Sequence, residues 1–210
     1  LLSPKILQGK RVVVSAGPTY EALDPVRGIT NRSSGKQGYS VAQAAFEAGA
    51  DVTLISGPTS LETPYGVKAV SVVSAKEMNE AVRREATNAD VFVSVAAVAD
   101  WRAQTVADEK IKKSDEPPTL ELVENPDILA QAAREFPSLY CVGFAAETEN
   151  VLENARGKRI RKHARMIVAN NARSAIGCDM NEAVIVMADK EVATGHVSKD
   201  KLAQTIIECI

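Results

Sequence analysis

The chain alternates short β-branched runs with Ala-rich stretches whose apolar positions recur at helical spacing, which predicts a succession of strands and helices. Arg11–Ser15 (RVVVS) is predicted as the first strand and runs straight into a Gly-Pro turn. Lys36–Ala48 is predicted as a helix, Asp51–Ser56 (DVTLIS) as a second strand and Val67–Val73 as a third. Ser74 is expected to cap the next helix, because Glu77 follows three residues later in capping-box spacing. Asp90–Ala97 (DVFVSVAA) is almost continuously apolar, as befits a strand covered on both faces.

The same rhythm fills the second half. Pro126–Phe136 is predicted as a helix, Tyr140–Ala145 as a strand, Asn150–His163 as a strongly charged helix and Arg165–Ala169 as a strand. Glu182–Met187 and Glu191–Val197 are expected to pair as a hairpin before a last helix from Ser198. The fold class is therefore α/β: a doubly wound, mainly parallel, Rossmann-like sheet with helices on both faces and a C-terminal hairpin. Right-handed crossovers gather the loops at the strand C-termini on one edge, where ligands bind in such sheets. Val98–Pro118 has no such period and is too long for an ordinary connection, so it is expected to be the least ordered stretch and a functional lid. Leu1–Lys10 is expected to be a linker remnant and residues 11–210 one domain; the opening Leu suggests a fragment of a longer chain.

Composition narrows the class. Hydrophobic residues are 45% and charged residues 25% of the 210, enough to bury a core. The net charge of −2 gives no overall attraction to nucleic acid or anionic lipid. No apolar run approaches the roughly 20 residues that cross a bilayer. Cys141, Cys178 and Cys209 are odd in number and far apart, which argues against a disulfide framework or a zinc site and for a reducing cytoplasm.

Five segments at predicted strand ends and helix starts carry candidate chemistry. Ala16-Gly17-Pro18-Thr19 follows the first strand, where Gly17 either lets backbone approach a ligand or simply makes a tight turn. Asn31-Arg32-Ser33-Ser34-Gly35-Lys36-Gln37-Gly38 opens the first helix; its N–H groups and charges form either a phosphate cradle or a solvated cap. It lacks Walker A spacing, which disfavours a P-loop enzyme. Ala96-Ala97-Val98-Ala99-Asp100-Trp101 places a carboxylate at the edge of the most buried strand, for a cation or ligand hydroxyl, or for a turn. Lys110, Lys112 and Lys113 follow, as a solvated run or as a cover over a triphosphate. Asn125-Pro126-Asp127-Ile128 starts a helix, and Gly143-Phe144-Ala145-Ala146-Glu147-Thr148 ends a strand. Lys158, Arg161, Lys162 and Arg165 are expected on one helical face. His163 and His196 lie in no nucleophile motif, so a covalent hydrolase is disfavoured.

The ordered set GPT, LDPVR, NRSSGKQG, SGP, AAVADW, KIKK, NPDI, GFAAET and KRIRK resembles bacterial phosphopantothenoylcysteine synthetases from Gly17 to Lys162, about three quarters of the chain. The KIKK loop resembles the type that uses CTP rather than ATP. The chain departs from the pattern at Gly28, where a bulky side chain is expected, and matches loosely after Asn170. The resemblance implies a ligase that joins 4'-phosphopantothenate to cysteine through an acyl-cytidylate, releasing pyrophosphate and then CMP, in coenzyme A biosynthesis.

It also implies roles. Asn31 and Lys110 would be catalytic, Asn31 holding the intermediate and Lys110 favouring its formation. Gly17, Ser33, Ser34, Gly35, Ala96, Ala97, Asp100, Lys110, Asn125, Pro126, Asp127, Ile128, Phe144, Lys158 and Lys162 would contact the nucleotide; Arg27, Asn31 and Ala97 would contact the substrate. Mg²⁺ would be held mainly by the triphosphate, with no protein metal cage. A homodimer and an N-terminal flavin-dependent decarboxylase domain in the full-length chain are implied, with no FMN on this part. The rival readings are an NAD(P)-dependent oxidoreductase, which lacks its glycine fingerprint here, and a non-catalytic nucleotide-binding module.

Overall fold

Alternation decides which face each strand residue serves. In the first strand Val12 and Val14 point to one side of the sheet and Val13 to the other, and all three are buried. The computed structural model describes residues 4–113, 118–147, 149–171 and 180–210. In chain order the elements are β1 (Arg11–Ala16), β2 (Tyr20–Ala22), β3 (Gly28–Thr30), α1 (Lys36–Glu47), β4 (Asp51–Ser56), β5 (Lys68–Ser71), α2 (Ala75–Ala86), β6 (Val91–Ser94), β7 (Trp101–Ala103), β8 (Leu122–Glu124), α3 (Ile128–Glu135), β9 (Tyr140–Glu147), α4 (Val151–Arg161), β10 (Met166–Asn171), β11 (Met180–Val186), β12 (Glu191–Ser198) and α5 (Lys199–Glu208).

Eight strands form one sheet in the order β12-β11-β10-β9-β6-β1-β4-β5. The six from β10 to β5 pair in parallel, and β10, β11 and β12 pair antiparallel. The fold is thus the expected mainly parallel α/β sheet, with the C-terminal hairpin as its antiparallel edge. The chain first winds outward from β1 to β4 and β5, then returns to the other side of β1 to lay down β6, β9 and β10. That reversal puts the topological switch point between β1 and β6.

The helices divide between the faces. Val41, Ala42 and Ala45 of α1 and Leu202, Ala203 and Ile206 of α5 close over Val12, Val14 and Val93. Met78 and Val82 of α2, Leu129 and Ala132 of α3 and Ala155 of α4 close over Val13, Phe92 and Ile167. Leu7, before β1, is also buried, and its N–H donates to the Ala48 carbonyl at 2.9 Å.

Three expectations change. The strand expected to run to Ala97 ends at Ser94, although single backbone bonds continue past it, the Val95 N–H donating to the Ser15 carbonyl at 3.1 Å. Pairing resumes as a single parallel bridge between Pro18 and Ala97. The stretch from Val98 expected to lack structure instead contributes β7, which pairs antiparallel with β8. Helix α4 ends at Arg161, so Arg165 leaves the predicted basic face and instead precedes β10. Thr148, Cys178 and residues 114–117 of the expected lid lie outside the described residues.

Candidate functional site

The switch point sets where a site can form. Two open cavities, of about 500 and 470 Å³, lie at the carboxyl edge of the sheet and share Ala96, Asp100 and Phe144 as a common wall. Ala96 follows β6 and Phe144 sits where β9 outruns it, Ser94 being paired with Gly143.

The first cavity lies over the start of α1 and is lined by Gly17, Asn31, Ser33, Ser34, Gly35 and Ala97. Close backbone packing shapes it. Gly38 abuts Ala16, and a Cβ there would lie 2.5 Å from the Ala16 Cβ, so α1 can approach β1 only with glycine at this position. Helix α1 begins at Gly35, whose φ of 79° is left-handed and which has no side chain to cap the helix. The Ser33 and Ser34 hydroxyls accept from the N–H groups of Gly35 and Lys36 at 3.3 and 3.5 Å, the second at the limit of a hydrogen bond. The helix N-terminus faces the cavity, an arrangement suited to an anion.

Asn31 is fixed at the junction of strands. Its Nδ2 donates to the Ala97 carbonyl at 3.0 Å, and that carbonyl also accepts from the Thr19 N–H at 3.2 Å. The Ala97 N–H donates in turn to the Gly17 carbonyl at 2.9 Å. Thr19 is fully buried: its hydroxyl accepts from the Ala99 N–H at 3.0 Å, and its carbonyl accepts from the Thr30 hydroxyl at 2.7 Å. This network fixes Asn31 to the segment that leads to Asp100.

The second cavity is lined by Asp100, Trp101, Asn125, Pro126, Asp127, Ile128, Lys158 and Lys162. Asn125 is locked in place, its N–H donating to the Asp100 carbonyl at 2.8 Å and its Nδ2 to the Ala99 carbonyl at 2.8 Å. Asp127 caps α3, one oxygen accepting from the Ala130 N–H at 3.1 Å and the other from Lys162. Lys158 donates to the Phe144 carbonyl at 2.6 Å. Burial, and then the positive charge of Lys162, hold the Lys158 ammonium below its ordinary pKa. An anion entering here would compensate the ammonium for both effects with opposite charge.

Most of the residues expected from the sequence line one cavity or the other. Arg27 and Lys110 line neither. The Arg27 guanidinium is committed to the Asp24 carboxylate, with Nε donating at 2.9 Å and Nη2 at 2.6 Å, and to the Ile111 carbonyl. Lys110 lies exposed on the next residue. Gly28 has no room for a side chain, since a Cβ would lie 2.5 Å from the Tyr20 ring and 2.7 Å from the Glu21 carbonyl. The Tyr20 ring fills the space expected of a bulky residue at 28. The first cavity also draws on Asn170 and Asn181, whose amides pair at 3.1 Å, and on Lys199. Asn170 is marked in the sequence as a polar residue at the end of an apolar strand, whereas Asn181 at the start of β11 and Lys199 at the start of α5 carry no such signal.

A doubly wound sheet with an anion-ready crevice at its switch point defines a nucleotide- or phosphate-binding α/β domain. The chain belongs to the DNA/pantothenate metabolism flavoprotein C-terminal domain family, whose model matches residues 7–210. It is 50% identical over 214 residues to the coenzyme A biosynthesis bifunctional protein CoaBC of Vibrio cholerae, covering 99% of this chain and 54% of that protein. It is 52% identical over 169 residues to the protein of that name from Escherichia coli, covering 79% of this chain and 42% of the relative. The chain spans about half the length of the curated relatives it matches. A crystal structure of the C-terminal domain of CoaBC superposes with a TM-score of 0.85 at 39% identity, covering 98% of this chain and 95% of that one.

Proposed function

We propose that this domain is the phosphopantothenate–cysteine ligase of coenzyme A biosynthesis, using CTP to activate the carboxylate. The observation that carries the reading is the join of the two cavities at Ala96, Asp100 and Phe144, beside the Asn31–Ala97 contact. A nucleotide whose contacts run through both lobes and a carboxylate held beside Asn31 and Ala97 meet at that wall, which is the geometry that makes a bimolecular acyl activation effectively unimolecular.

In the first step a carboxylate oxygen of 4'-phosphopantothenate forms a bond to the α-phosphorus of CTP, and pyrophosphate leaves with the broken P–O bond pair. In the second the cysteine amine attacks the mixed anhydride, CMP leaves and the amine gives up a proton to solvent. Lys158 and Lys162 neutralise the triphosphate, Phe144 supports the pyrimidine, and the N-terminus of α1 meets anionic oxygens. Asn31 orients the acyl group through its amide, and Lys110 reaches the nucleotide by extending its flexible side chain from its loop.

Among the described residues no three His, Cys, Asp or Glu side chains cluster as a metal cage, while Asp100 offers one carboxylate at the join. That donor set fits Mg²⁺ bound chiefly by phosphates with retained waters, where it would neutralise charge on the triphosphate. A homodimer with the pocket near its interface, and an N-terminal flavin decarboxylase domain in the full-length protein, belong to the same reading. Among the described residues no helix is long and apolar enough to cross a membrane.

The test supplies Mg²⁺, CTP, 4'-phosphopantothenate and cysteine, and follows pyrophosphate and product by mass spectrometry. CTP-dependent product, with an acyl-cytidylate accumulating when cysteine is withheld, is the expected result. Binding of CTP with no pyrophosphate and no product would reduce the domain to a nucleotide-binding module.

A further inference from the structure

The loop that carries Lys110 is held down by a group with no role in the chemistry above. Asp24 lies in the turn between β2 and β3 and is 2% exposed. One carboxylate oxygen accepts from the N–H groups of Val26 and Arg27, both at 2.8 Å. The other accepts from Arg27 Nε and Nη2 and, across the fold, from the Ile111 N–H at 3.1 Å. Arg27 also donates to the Ile111 carbonyl, so both backbone groups of Ile111 are engaged. Four residues earlier the Ala107 N–H donates to the Leu23 carbonyl at 3.0 Å. The segment Ala107–Ile111 is therefore pinned at both ends to one turn, with Asp108, Glu109 and Lys110 exposed between the pins.

Resting on the ligase reading above, we infer that Asp24 is a positioning residue for Lys110: its buried carboxylate and its Arg27 partner fix the reach of the segment that delivers this lysine. Burial alone would raise the Asp24 pKa, but the Arg27 guanidinium and the three backbone donors outweigh it and hold the carboxyl far below the usual carboxylate range. An ordinary turn aspartate needs only the Val26 and Arg27 N–H groups; the bond to Ile111, 87 residues away, serves no turn. Asparagine is nearly isosteric, but it would set its own amide donors against the Arg27 donors or the Ile111 N–H.

The experiment compares the wild-type chain with Asp24→Asn in two assays. Without ligand, trypsin should cut after Lys110, Lys112 and Lys113 about tenfold faster in Asp24→Asn, as loss of a charged hydrogen bond opens the segment, with cleavage within α2 unchanged. In the half-reactions, pyrophosphate release should slow by about tenfold to a hundredfold, as a misplaced catalytic group requires. Aminolysis of preformed acyl-cytidylate should stay within about twofold, the effect of an ordinary surface change. Ala107→Pro, which removes the other pin's N–H, should give the same pattern and decides the matter if Asp24→Asn fails to fold. Unchanged cleavage at the three lysines, or both half-reactions slowed alike, would overturn the positioning role. If the wild type makes no product at all, the ligase reading fails instead, and the trypsin comparison still judges the clamp.

Discussion

At the scale of single residues, the crevice depends on what is missing as much as on what is present. Gly57 lies beneath the first turn after β1, and a Cβ there would come within 1.7 Å of the Pro18 carbonyl oxygen. No rotamer relieves a clash with backbone, so Gly57→Ala should cost about 1–3 kcal/mol and move Pro18 away from Ala97. Urea unfolding measures the cost, and an alanine that matched wild-type stability would show that the turn gives way freely. Cys141 tests burial in the opposite sense. Desolvation in the core pushes its thiol up to about 12, with Arg165 opposing weakly. A group whose folded pKa is raised contributes stability that is complete below its unfolded value, about 8.5 for a thiol, and lost as pH rises toward the folded value. Stability should therefore fall from pH 8.5 upward, and a maleimide at pH 8 should label Cys141 only once urea unfolds the chain. Labelling of native protein at Cys141, read by mass spectrometry, would contradict the burial.

Elements were legible where one local rule decided them. Ser74 accepts from the Glu77 N–H at 3.2 Å, as the capping box requires, although Glu77 returns its second bond to the Val73 N–H rather than to the Ser74 backbone. Ser74→Ala should cost about 1 kcal/mol, visible as a lower urea midpoint with unchanged slope. The same logic made α5 readable from Ser198, which accepts from the Lys201 N–H at 3.1 Å. The hairpins β2–β3 and β7–β8 were not readable, because strands of three residues are too short to display alternation and their pairing is set by tertiary contact. The second of these spans Trp101 to Glu124, so no local turn signal joins its strands. For the candidate site, the chemistry-bearing segments stood out as polar motifs directly after apolar runs. What no spacing rule could supply was their division between two cavities, or that Arg27 and Lys110 line neither. Asn181 was invisible because its function as a wall comes only from pairing with Asn170 across the antiparallel edge.

Across the whole molecule, the sheet separates two cores, one on each face, and the crevice opens at its carboxyl edge. Phe144 belongs to the boundary, packed on the core beneath α1 and α5 while lining both cavities. Ligands in the two lobes should therefore be felt by the entire fold rather than by one loop. CTP at about a hundredfold over its Kd should add about 2.7 kcal/mol, raising Tm by several degrees for a chain of this size. A phosphopantothenate analogue without the reactive carboxylate should add its own increment on top, because its contacts at Asn31 and Ala97 are separate from those of the nucleotide at Lys158 and Lys162. Scanning calorimetry with each ligand alone and with both together makes the comparison. Increments that add, or exceed their sum, agree with substrates meeting at the shared wall. A combined shift no larger than the greater single one would mean that both ligands compete for the same lobe, and acyl transfer could not occur across that wall.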